Sequence, residues 1–76
     1  MHIRYTHHAR RRMAQRKVTE AQVRETLESP DEIEIGDLDE LIAVRRINER
    51  ELRVVYEEIN STTVVIYTVI NARTRS

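Results

Sequence analysis

The chain has 76 residues, with thirteen Lys/Arg against thirteen Asp/Glu, three Tyr as its only aromatics and no Cys. That length allows one small domain with a core of Val, Ile, Leu and Met. The missing thiols exclude a disulfide framework and a thiolate metal site, in keeping with a reducing cytoplasm. The zero net charge hides a segregation: residues 1–18 hold six Lys/Arg, all three His and no acid, while every carboxylate lies between Glu20 and Glu58.

The start, "MHIRYTHHARRR", has no apolar run of the kind that directs secretion, and "TTVVIYTVI" is too short to span a bilayer. A soluble cytoplasmic protein with no membrane association is expected. Residues 5–16 read as a first helix of Ala, Arg, Met and Gln with no β-branched run. "VTEAQV" opens a second helix over 20–28, with Thr19 as N-cap, Gln22 closing a capping box and Val18 with Val23 as a hydrophobic staple. This helix should bury Val23 and Leu27 and stop before Pro30.

From Glu32 onward the apolar period falls to two, predicting strands over 32–36, 40–47, 51–59 and 62–70 with short antiparallel connections. The carboxylates of "DEIEIGDLDE" alternate out of a strand or sit in a turn, which reads as a solvated, protected sheet edge rather than a cation site. Arg73 to Ser76 reads as a loose tail. The expected fold is α+β, a single domain over 1–76 with two N-terminal helices on one face of a four-stranded antiparallel sheet (ααββββ).

Unrolled at about 100° per residue, the first helix places Tyr5, Ala9 and Met13 on one stripe, with His8, Arg12 and Arg16 on or beside it. His7, Arg10, Arg11 and Gln15 point away. The inner guanidinium groups have two structural explanations, snorkelling or pairing with sheet acids. A functional one stands beside them: fork-like donors for phosphate in a groove between helix and strands, with His8 as the proton-transfer group. The histidines lack a supporting carboxylate or Cys, so neither a metal nor another cofactor is expected.

"HARRRMAQRKVTEAQV" resembles the opening motif of the small prokaryotic family known as domain of unknown function 4258, through His8-Ala9, Arg12-Met13, Arg16, Val18 and Thr19. "ELRVVYEE" and "TTVVIYTV" are similar to that family's strands. The resemblance implies a toxin component of a toxin–antitoxin pair, similar in layout to RelE/ParE-like ribonucleases and neutralised by a small antitoxin protein. RNA would be the substrate, cleaved without metal through its 2′-OH.

On that reading His8 is the base or acid, Arg12 and Arg16 clamp the phosphate, and Tyr67 or Tyr56 orients substrate or stacks a base. Arg10, Arg11, Arg46, Arg53 and Arg73 are the further candidates for RNA contact, although cross-strand pairing also accounts for Arg53. Two alternatives stand beside the enzyme. One is a non-enzymatic nucleic-acid- or protein-binding module with a basic first helix. In the other, His8 and Arg12 merely tie the helix to the sheet of a homodimer.

Overall fold

Two threonines decide where the helices begin. In the computed structural model, which describes residues 1–73, Thr6 is extended and its Oγ1 accepts the Ala9 amide at 3.0 Å, so the first helix, α1, spans His7–Arg16. It ends at Lys17, which adopts a left-handed conformation (φ 57°), and the Val18 amide turns back onto the Met13 carbonyl at 2.9 Å. Thr19 then forms a complete capping box. Its Oγ1 accepts from the Gln22 amide at 3.1 Å while Gln22 Oε1 accepts from the Thr19 amide at 2.9 Å, and this starts α2 (Glu20–Glu28). Val23 is fully buried and Leu27 half-buried. Thr26 is buried as well, and its hydroxyl is satisfied by donating to the Gln22 carbonyl at 2.8 Å.

Tyr5 is not helical. It closes a short strand, β1 (His2–Tyr5), which precedes both helices. The others are β2 (Glu32–Ile35), β3 (Leu41–Ile47), β4 (Arg50–Asn60) and β5 (Thr63–Arg73). The sheet therefore has five strands in the order β1-β5-β4-β3-β2, antiparallel except that β1 runs parallel to β5. The α+β class holds, while the four-stranded antiparallel sheet is corrected to a five-stranded mixed one. Arg73 is the last residue of β5 and not part of a tail; residues 74–76 lie outside the described residues.

Paired residues share a face, so the register sorts the side chains. Ile3 and Tyr5, Val64, Ile66 and Val69, Leu52, Val54 and Tyr56, and Leu41 and Ala43 face the helices. With Ala9, Met13, Val18 and Val23 they form the core. The opposite face carries a charge ladder. Arg46 pairs with Glu32 (2.8 Å) and Glu51 (3.2 Å), and Arg53 with Glu34 and Glu51 (3.8 Å), while Val44 is fully buried among them.

The β4–β5 ladder slips between Val55 and Tyr56: Val55 pairs with Thr68 and Tyr56 with Ile66, leaving Tyr67 as the extra residue of a bulge. The slip explains why Ile66 and Val69, three apart, both enter the core. It also explains why β5 looks apolar on both faces. β1 covers only Thr63 to Ile66, so from Tyr67 onward the outer edge of β5 has no strand beside it among the described residues. That edge lies against α1.

Candidate phosphate-binding trough

The bulge and the first N-cap are one device. Thr6 donates its amide to the Ile66 carbonyl (3.0 Å) and its hydroxyl to the Tyr67 carbonyl (3.1 Å), while the same Oγ1 caps α1. At the far end Asn71 Nδ2 donates to the Arg16 carbonyl at 3.2 Å. With α1 clamped at both ends, the residues four apart on its flank face the free edge of β5.

His8, Arg12 and Arg16 line a hollow of about 330 Å³ floored by Thr68, Val69 and Ile70. It shares His8 and Arg12 with a second hollow of about 250 Å³ that adds Arg11 and Gln15. It shares Arg16 with a third, of about 370 Å³, that adds Lys17, Arg50 and Asn71. The three adjoin at these shared side chains and together make a shallow trough, open to solvent, whose second hollow is walled by α1 alone. Arg12 is half-buried against it, whereas His8 and Arg16 are exposed.

Charge pairing separates this trough from the rest of the surface. Among the described residues no carboxylate lies within ion-pair distance of Arg11, Arg12, Arg16, Lys17 or Arg50. The remaining expected RNA contacts sit elsewhere. Arg10 faces Glu20 at 3.6 Å and stacks over the Tyr5 ring at 4.7 Å. Arg46 and Arg53 belong to the open-face ladder, and Arg73 pairs with Glu49 at 3.3 Å. Tyr56 is buried in the core, where burial first and the charge of Glu58 second push its phenol above the ordinary value.

Tyr67 lies on the open face and donates to Glu57 Oε2 at 2.9 Å, a bond that raises its phenol along with desolvation and the Glu57 charge. It is not a wall of the trough. The structure thus brings His8, Arg12, Arg16 and Arg11 together and leaves Tyr67, Tyr56, Arg10, Arg46, Arg53 and Arg73 apart from them. Three trough residues had escaped the sequence reading. Lys17 was visible in sequence as a cation directly after α1; Arg50 and Asn71 arrive only through the β4–β5 register.

The trough suits a polyanion. Along α1, four residues rise about 6 Å, so His8, Arg12 and Arg16 span about 12 Å, long enough to meet successive phosphates of one strand. Among the described residues no group of three His, Asp or Glu is placed to hold a metal ion, and no helix is long and apolar enough to cross a membrane.

The family model for the domain of unknown function DUF4258 matches residues 5–71, and the chain belongs to that family. No curated protein and no solved structure matches the chain.

Proposed function

We propose that this DUF4258 chain binds RNA in the α1–β5 trough and cleaves it without metal, as the toxin component of a prokaryotic toxin–antitoxin pair held in check by a small antitoxin. The observation that supports RNA binding is the trough itself: an imidazole and four cations at one strand edge, with Arg11 behind them on α1 and no carboxylate drawn in to neutralise them. A solvated helix face would offer the same charges without a floor of strand residues.

In the cleavage step His8 takes the proton of a ribose 2′-OH. The 2′ oxygen attacks the adjacent phosphorus, and the 5′ oxygen of the next nucleotide leaves, taking its proton from water while the His8 imidazolium returns the one it took to solvent. Arg12 and Arg16 hold the non-bridging oxygens, where charge accumulates as the fifth bond forms. The products are a 2′,3′-cyclic phosphate and a 5′-hydroxyl end, and DNA, which lacks the attacking group, is bound but left whole.

A second reading is favoured by one observation. Among the described residues no hydrogen bond orients the His8 ring, and no second acid or base lines the hollow beside it. On that reading the trough binds nucleic acid without cutting it. Induced expression of wild type beside His8→Ala, with mapping of RNA ends, separates the two. The enzyme predicts growth arrest and new 5′-hydroxyl ends for wild type only; a binding module predicts no cut ends from either and unchanged RNA affinity for His8→Ala.

A further inference from the structure

The other end of the sheet has the opposite character. β2 is an edge strand paired only with β3, and its outer side has no strand among the described residues. On the helix side of the sheet, Ile33 and Ile35 are aligned with Ala43 and Leu41 by register, but α2 lies over β3 and β4 and leaves them bare: Ile33 is 53% exposed and Ile35 72%. Leu38, at the tip of the following turn, is 87% exposed. Three aliphatic side chains in a six-residue stretch, beside a row of free backbone donors and acceptors, form an open template for strand addition.

Charge guards only one side of this edge. Glu32 and Glu34 turn onto the opposite face, where Arg46 and Arg53 hold them, so neither blocks approach on the isoleucine side. Glu28, Asp37 and Asp39 remain without a cation partner among the described residues, Glu28 at the end of α2 and the two aspartates in the turn after the strand. From Glu25 to Glu40 the sequence holds eight acids and not one Lys or Arg.

We propose that β2 docks an extended segment of another protein in which aliphatic residues alternate with Lys or Arg. That segment would continue the sheet, its aliphatic side chains covering Ile33 and Ile35 while its alternating cations fall on the opposite face beside Glu32 and Glu34, with those at its end meeting Asp37 and Asp39. A second copy of the chain does not meet this requirement, because β2 against β2 would set two strongly acidic stretches against each other. The docking surface lies at the sheet edge opposite the trough and does not depend on what the trough binds.

The test uses the full chain, labelled with ¹⁵N, and end-capped hexapeptides: alternating lysine and valine as the probe, with glutamate/valine and lysine/serine as controls. The lysine/valine peptide should shift and protect the amides around residues 32–38, bind at least tenfold more tightly than either control, and lose binding at least tenfold in Ile35→Lys. Leu38→Ser, in a turn with no packing role, should weaken binding while leaving the fold unchanged, which guards against a folding defect in the first variant. Equal binding of the two valine peptides, shifts confined to α1 and β5, or self-association of the chain that Ile35→Lys abolishes would each overturn the proposal.

Discussion

Replacing Arg12 and Arg16 together by Ala should flatten the salt dependence of RNA binding by a calculable amount. Five cations line the trough: Arg11, Arg12, Arg16, Lys17 and Arg50. If each neutralises one phosphate of a single strand, log K falls with log salt at about 0.7 per contact, a slope of about −3.5. The double variant keeps three contacts and a slope of about −2.1. Raising KCl from 50 to 200 mM then costs wild type about 130-fold in affinity and the variant about 20-fold. Fluorescence anisotropy of a labelled single-stranded RNA over that range reads both slopes, with Arg46→Ala as control because its guanidinium is held by Glu32 and Glu51. A double variant with the wild-type slope, or an Arg46→Ala slope reduced as far as that of the double variant, would refute the placement of the phosphates.

Thr6→Val removes both the helix cap and the bond to the bulge carbonyl and should cost about 2 kcal/mol, whereas Thr6→Ser, which keeps the oxygen, should stay within about 0.5 kcal/mol of wild type; thermal unfolding measures both. Ile66→Ala, at a fully buried position on the central stretch of β5, should lose about 3 kcal/mol in urea titration. Loss of the capping box in Thr19→Ala should cost about 1 kcal/mol by the same method. All three phenols are held above their ordinary value: Tyr5 and Tyr56 chiefly by burial, Tyr67 chiefly by its bond to Glu57. A group whose folded pKa is raised lends stability that is complete below the unfolded value, near 10, and fades as pH rises through the folded one. Ultraviolet titration should therefore show tyrosine ionisation displaced upward in the folded chain, and stability should fall above pH 10.

The parts of the fold that were legible in sequence are those decided locally. Thr19 and Gln22 announce α2 because both halves of the capping box lie within four residues, and the period-two pattern after Glu32 locates four of the strands. β1 was missed because Tyr5 falls in phase with Ala9 and Met13, which makes it look like the first turn of a helix. Yet Thr6 is a cap in its own right and ends the extended segment there. The parallel pairing of β1 with β5 and the bulge at Tyr67 are contacts between distant stretches, and no periodicity in either stretch encodes them.

The same division governs the trough. His8, Arg12 and Arg16 could be grouped from helical spacing alone, and Lys17 follows from the helix end. Arg50 and Asn71 depend on how far β4 and β5 extend and on their register. Arg46 and Arg53 attract attention in sequence as cations on strands, but Glu32 sits on the strand next to Arg46 and Glu34 lies two strands from Arg53 across β3, relations that only the assembled sheet creates.

The claim that the trough is where RNA lies is tested most directly by an amide chemical-shift map of the full chain with a single-stranded, 2′-O-methylated RNA that cannot be cleaved. The account predicts shifts along residues 8–17 and 68–71, with Arg50 among them. Shifts centred on Glu57 and Tyr67, on β2, or on the Arg46–Arg53 ladder would contradict it.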